Sequence, residues 1–214
     1  HLHYFNFRGR LEPARLMLED AQEPYELHSY SLDEHWAEIK SDLEPKLHFG
    51  QLPLLEDGEF VLAQTPSILR YISRKLDLLP SSLVDTARAD MVADATQELS
   101  DRWMTKVMGL GNTPKARRDY SRHATRVLQG LEKILKSKNE GKAYFISDTI
   151  TFADYCAWEA LDFNLNDDPA FLDNFPLLKA FHHRLPQLRL NLKNYLSSGR
   201  RIELLPQPSS PPSP

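Results

Sequence analysis

Gln51-Leu52-Pro53-Leu54-Leu55-Glu56-Asp57-Gly58-Glu59-Phe60-Val61-Leu62-Ala63-Gln64-Thr65-Pro66 is the stretch that decides the fold. Two short apolar runs flank Asp57-Gly58, and turn residues between such runs predict an antiparallel hairpin. A proline enters the first of its strands. At Thr65-Pro66 the pattern changes period. Thr65 suits an N-cap, Pro66 suits the first helical position, and Ile68, Leu69, Ile72 and Leu76 form one apolar stripe. The unit is strand, turn, strand, helix.

Toward the N-terminus, Leu2 to Phe7 alternates as a strand does. Pro13 follows, with Ala14, Met17, Leu18 and Ala21 at i, i+3, i+4, i+7, a helix with Pro at its first position. Tyr25 to His28 reads as a second strand, which that helix connects in parallel with the first. Trp36 to Leu43 reads as a short irregular helix. The order over residues 1–78 is therefore βαβαββα, an α/β domain with a mixed four-stranded sheet.

Beyond Leu79-Pro80-Ser81-Ser82 the chain reads as helix upon helix. Met91, Ala95 and Leu99, then Ala124, Val127, Leu128, Leu131 and Leu135, form two long stripes expected to pair. Ile150-Thr151-Phe152-Ala153-Asp154-Tyr155 is a capping-box signature with Asp at its third position, and Ile150 and Tyr155 are spaced as a staple. Leu178, Phe181 and Leu185, then Leu188, Leu192, Tyr195 and Leu196, give two shorter helices. Five of the 15 prolines fall in the last nine residues. The reading is an all-α domain at 79–205 and a Pro/Ser-rich tail at 206–214. No internal repeat is visible.

With 214 residues, 41% hydrophobic and 26% charged, the chain has the composition of a folded protein and not of a disordered or fibrous one. Its 26 Lys+Arg against 30 Asp+Glu leave a net charge of -4. Without a basic run to neutralise phosphates, nucleic acid is not expected as a partner. No apolar run reaches the roughly 18 residues of a membrane helix, and His1-Leu2-His3 does not read as a signal segment, so no membrane association and a cytoplasmic location are expected. The single cysteine, Cys156, fits a reducing compartment and reads as a small buried residue. His182-His183 and His1-x-His3 have metal-like spacing without an acidic partner motif, so they read as solvated or core histidines, and no metal is expected.

This arrangement, with a proline entering the third strand and an all-helical domain following, resembles the cytosolic glutathione transferases, whose first domain has the thioredoxin fold. Tyr4-Phe5-Asn6-Phe7-Arg8-Gly9-Arg10-Leu11-Glu12 is similar to the first strand and loop of the tyrosine-type classes, most closely the sigma class, and Trp36-Ala37-Glu38-Ile39-Lys40 is similar to the sigma pattern. Phe49 to Pro53 and Gln64-Thr65 resemble the glutathione-binding loops. Between Lys40 and Gly50 the loop resembles the pi class, including the aromatic Phe49 that inserts into a partner subunit in pi-like proteins. The resemblance covers about 200 residues and implies a homodimer.

The resemblance implies glutathione as co-substrate and a hydrophobic electrophile as second substrate. A thiol of pKa about 8.5 is mostly protonated at neutral pH, and its thiolate is the nucleophile. A phenol donating to that thiolate gives a charge-assisted hydrogen bond worth roughly 1.5–3 kcal/mol. At about 1.4 kcal/mol per unit, this lowers the thiol pKa by roughly one to two units. Tyr4 is the expected donor, aided by Arg10 and by the helix after Pro13. Residues 1–78 hold 8 Lys+Arg against 14 Asp+Glu, a net of -6, so an anionic tripeptide must be held by placed groups. Trp36 and Lys40 are expected at the glycyl carboxylate, Gln64 and Thr65 at the γ-glutamyl carboxylate. Gln51, Leu52 and a cis Pro53 are expected at the cysteinyl backbone. The family usually has Ser where Thr65 stands, and Thr keeps the hydroxyl.

Glu98 occupies the place of an Asp that reaches the glutathione amine across the dimer. Phe5, Phe7, Met104, Val107 and Met108 are candidates for the electrophile wall. Two alternatives remain: a glutathione-dependent isomerase such as a prostaglandin D synthase, and a non-catalytic ligand-binding or structural relative. Sigma-class prostaglandin D synthases carry an acidic trio for a divalent metal; here Gln97 interrupts it between Asp94 and Glu98.

Overall fold

The computed structural model describes residues 1–31, 36–105 and 112–204. They form two compact units, His1–Ile72 with the segment from Asn191 onward, and Ser73–Leu190. The sequence reading divides the chain at residue 78 and assigns everything to 205 to the helical part. The packing instead returns the segment from Asn191 to the first unit.

In the first unit, β1 (Leu2–Phe5), α1 (Glu12–Ala21), β2 (Leu27–Tyr30), α2 (Trp36–Leu43), β3 (Leu54–Asp57), β4 (Phe60–Ala63) and α3 (Thr65–Lys75) reproduce the expected order. The sheet order is β2-β1-β3-β4. β1 and β2 are parallel, with Leu2 opposite Leu27 and His3 opposite His28, while β3 is antiparallel to both β1 and β4. The hairpin closes with Asp57 opposite Phe60 and Gly58 at φ +62°, the left-handed turn conformation that Gly adopts without steric cost.

The expected bounds shift in four places. β1 stops at Phe5 because Phe7 N–H turns back onto the Phe5 carbonyl (2.7 Å), ending the ladder. β2 begins two residues later than expected. Thr65 is the first residue of α3 and not its cap: the Gln64 carbonyl accepts the Ile68 N–H (3.0 Å). Pro13 is the second residue of α1, where its missing N–H is still one of the unpaired first-turn donors.

Residues 191–204 belong with α1 for a polar reason. Glu12 and Arg15 are fully buried and paired, Arg15 Nε to Glu12 Oε2 at 2.6 Å. Two buried charges are tolerated when further hydrogen bonds offset much of their desolvation, and here all but Arg15 Nη1 find partners. Tyr195, in α8 (Leu190–Leu196), donates its hydroxyl to Glu12 (3.2 Å), Arg201 Nε donates to the same carboxylate (3.0 Å), and Arg15 Nη2 donates to the Arg8 carbonyl (2.8 Å).

The second unit contains α4 (Leu83–Trp103), α5 (Pro114–Ser137), α6 (Phe152–Asp167) and α7 (Pro176–Leu188). Ser82 and Thr113 cap α4 and α5 through their hydroxyls. α6 is buried along nearly its whole length, Cys156 included, and α4 packs against both α5 and α6. The expected α4 stripe needs correction: Met91 is 51% exposed, and the buried face is Ala89, Val92, Ala93, Thr96, Leu99 and Trp103. Thr96 tolerates burial because its hydroxyl donates to the Ala93 carbonyl (2.9 Å). The α5 stripe stands at Ala124, Leu128, Leu131 and Leu135, with Val127 half-buried. Leu188, at the end of α7, is exposed.

Candidate active site

The loop after β1 fixes the candidate donor. Tyr4 is 2% exposed, and its hydroxyl oxygen accepts the Arg10 backbone N–H (3.1 Å). Burying a phenol is favourable only when the hydroxyl is partnered, so this bond both allows the burial and sets the oxygen's position. The loop is tethered at several points. Asn6 N–H donates to the Tyr30 carbonyl, Arg8 N–H donates to the Glu203 carbonyl, and the Arg8 carbonyl takes the buried Arg15 guanidinium.

Gly9 makes this geometry feasible, and the sequence reading did not single it out. Its φ is +47°, and a Cβ there would stand 2.6 Å from both Tyr4 Cε1 and the Tyr4 hydroxyl. Gly9→Ala is expected to displace the phenol and to add the strain of a left-handed alanine, roughly 1–2 kcal/mol. Conjugating activity should fall about tenfold, the loss equivalent to about 1.4 kcal/mol of transition-state binding, with a lowered melting temperature. Steady-state kinetics and calorimetry check both.

Arg10 also lines a cavity of about 340 Å³ with Phe49, Gln51, Leu52, Pro53, Ala63, Gln64 and Thr65. This lies in the size range of small-ligand sites. The Leu52–Pro53 bond is cis. Six expected site residues, Arg10, Gln51, Leu52, Pro53, Gln64 and Thr65, therefore converge on one concavity. Phe49, from the same loop and expected as a subunit anchor, also lines it, and Ala63 is a lining residue beyond those expected there. Gln64 stands at φ +73°, an uncommon conformation for a residue with a side chain, at the point where β4 turns into α3. The first amides of α3 have no intrahelical acceptors, which gives this end of the cavity a positive partial charge within an acidic unit. Lys40 lies beside Gly50, between the lining residues Phe49 and Gln51: its Nζ is 3.6 Å from where a Gly50 Cβ would be, and Gly50 is in the left-handed region.

Trp36, Phe5, Phe7, Glu98 and Met104 are not among the lining residues of this cavity. Trp36 is half-buried edge-on against Phe5, ring centroids 4.8 Å apart, and Phe5 is parallel to Phe7 at 6.1 Å. Glu98 and Met104 belong to the helical unit. Glu98, 51% exposed, pairs with Arg102 (2.8 Å) beside a cavity of about 520 Å³ that Asp94, Gln97 and Asp101 also line. Val107 and Met108 lie outside the described residues, as does the tail at 206–214. His182 has a structural use: its Nε2 meets Asp162 (3.1 Å), and its ring stacks on Trp158.

Known proteins match along nearly the whole chain. The family model "Glutathione S-transferase, N-terminal domain" matches residues 1–74, and "Glutathione S-transferase, C-terminal domain" matches residues 97–199. A curated Caenorhabditis elegans protein named Glutathione S-transferase P is 36% identical over 205 residues, covering 94% of this chain and 93% of that protein. The solved pi-class glutathione S-transferase of Onchocerca volvulus superposes with TM-score 0.82 at 31% identity, over 94% of this chain and 98% of that one. A glutathione S-transferase from Necator americanus, described as monomeric, superposes with TM-score 0.80 at 25% identity, over 91% and 94% of the two chains.

Proposed function

This chain belongs to the glutathione S-transferase family and is a glutathione transferase, and from that premise we propose that it is tyrosine-type, with Tyr4 stabilising the glutathione thiolate for attack on hydrophobic electrophiles. The observation that carries this reading is the buried Tyr4 hydroxyl held by the Arg10 N–H, because Arg10 also lines the cavity. A phenol oxygen that accepts an N–H is polarised and becomes a stronger O–H donor. The developing thiolate is thereby met by a donor already in place, which requires no reorganisation during the reaction.

In this reading the cavity holds the tripeptide. Gln64, Thr65 and the α3 N-terminus take the γ-glutamyl carboxylate; Leu52 and Gln51 take the cysteinyl backbone. Lys40 and Trp36 take the glycyl carboxylate. The thiolate adds to the electrophilic carbon and displaces a leaving group, or adds across an activated double bond, forming a thioether. Phe5 and Phe7 are the first unit's proposed contribution to the wall for the second substrate, and the role is detoxification in the cytoplasm. Retention on immobilised glutathione together with thioether formation from a chloronitrobenzene is the expected result. Failure to bind the column contradicts the reading.

For class, the Lys40–Gly50 loop reads as pi-like, and the relatives' names favour that half of the resemblance. The sigma-like half rests on Tyr4 to Glu12 and Trp36 to Lys40. Phe49, 65% exposed, is the proposed anchor into a second subunit, and Glu98 the proposed contact to the partner's glutathione amine. An exposed aromatic seated in a partner pocket is the kind of residue that dominates an interface. Phe49→Ser is expected to weaken the dimer by at least about 2 kcal/mol, some 30-fold in dissociation constant. Sedimentation velocity across a concentration series reads this directly, and an unchanged distribution contradicts it.

A further inference from the structure

The open edge of the sheet carries a second group of chemistry-bearing side chains. His3 faces His28 across the parallel β1–β2 pair, and the Leu2 N–H donates to the Glu26 carbonyl (2.8 Å). Strand alternation puts His1, His3, Glu26 and His28 on one face, with Leu2 and Leu27 on the other. Adjacent strands lie about 4.7–4.9 Å apart, so the polar side chains meet. His1 Nδ1 is 3.0 Å from Glu26 Oε2 and 3.1 Å from His28 Nε2, and His28 Nε2 is 3.8 Å from Glu26 Oε2. Among the described residues this is the one place where three His, Cys, Asp or Glu side chains bring ligand atoms within 4.8 Å of one another.

Ligands held at about 2.0–2.2 Å around a tetrahedral cation stand about 3.3–3.6 Å apart, and the three observed separations bracket that spacing. The rings are also held in place. His28 stacks on His3, centroids 4.4 Å apart and planes 10° apart. His3 in turn is fixed by the Tyr30 hydroxyl (2.7 Å) and Glu56 (2.9 Å). The His1 backbone nitrogen donates to the Glu56 carbonyl, so the imidazole is the part of His1 that faces the group.

We infer that His1, Glu26 and His28 form a surface site for a divalent first-row transition cation. Two imidazoles and one carboxylate suit Zn²⁺ or Ni²⁺, whereas Mg²⁺ and Ca²⁺ favour all-oxygen sets. The side chains are 51%, 71% and 43% exposed, so water completes the coordination and the cation exchanges with solvent. None of the three residues lines the glutathione cavity. The proposal departs from the expectation of no metal: the spacing His1-x-His3 does not supply the group, because His3 meets Tyr30 and Glu56, and Glu26 and His28 are the residues that join His1.

Calorimetric titration of ZnCl₂ into the tag-free, chelator-treated chain tests this. One Zn²⁺ per chain is expected, with affinity lowered more than about tenfold by His28→Ala and by Glu26→Gln, at least the loss that removing an outer-shell partner causes. Chloronitrobenzene conjugation should be unchanged in both variants, which also verifies their folding. If His28→Ala disturbs the edge strand, His1→Ala carries the same expectation. Absence of Zn²⁺ binding to the wild-type chain, or equal binding by wild type and variants, overturns the inference.

Discussion

Tyr4→Phe is expected to reduce kcat/KM for glutathione conjugation of a chloronitrobenzene by about 10- to 150-fold, the kinetic equivalent of the 1.5–3 kcal/mol carried by a hydrogen bond to a charged sulfur. The substitution keeps the ring, its burial and its contacts with Phe5 and Phe7, whose centroids lie 5.7 and 5.5 Å away. Glutathione affinity should change little, because Gln51, Gln64, Thr65 and Lys40 are untouched. The loss should shrink as pH rises toward the thiol's ordinary pKa, where the anion forms without help. A uniform loss at every pH would instead indicate displaced geometry.

Asp154→Ala should be the most damaging single change to stability outside the cavity. The Asp154 carboxylate is wholly buried at the start of α6 and accepts the Thr151 N–H (2.8 Å), the Thr151 hydroxyl (2.9 Å) and the Phe145 N–H (2.9 Å). Alanine strands two buried amides at roughly 1–3 kcal/mol each, for a total of about 2–6 kcal/mol. In a chain of this length that lowers Tm by about 4–24 °C, at about 2–4 °C per kcal/mol. Burial pushes the Asp154 carboxyl up to about 6, against the pull of those donors. Between about pH 4 and 6 the folded state therefore binds more protons here than the unfolded state, and this group's contribution falls as pH rises through that window. The stability gap between wild type and Asp154→Ala should be larger at pH 4 than at pH 7. Denaturant titrations at the two pH values measure it.

What the sequence could disclose depended on how local the signal was. The β3–β4 hairpin and the capping box at Thr151 are written in consecutive residues, so turn and cap chemistry identifies them, whereas the start of α3 lies one residue earlier than a Thr65 cap implies. The α4 face was misassigned because its buried side is built from Ala89, Ala93 and Thr96, which carry little hydropathy, while exposed Met91 carries more. Arg10, Gln51, Leu52, Pro53, Gln64 and Thr65, which line the cavity, are expected at the site through motif resemblance. Gly9 is not, since its necessity lies in a 2.6 Å approach to Tyr4 that exists only after folding. The return of residues 191–204 to the first unit rests on contacts such as Tyr195 to Glu12, 183 positions apart, and His1–Glu26–His28 depends on strand register. Neither leaves a trace in a sequence window.

The central claim is that Tyr4 holds the glutathione sulfur as an anion. Titrating the ultraviolet thiolate band of glutathione bound to wild type and to Tyr4→Phe tests it most directly. The wild-type midpoint should lie roughly one to two units below the free thiol's value of about 8.5, and the Tyr4→Phe midpoint should return to near that value. Coincident midpoints in the two proteins would contradict the claim.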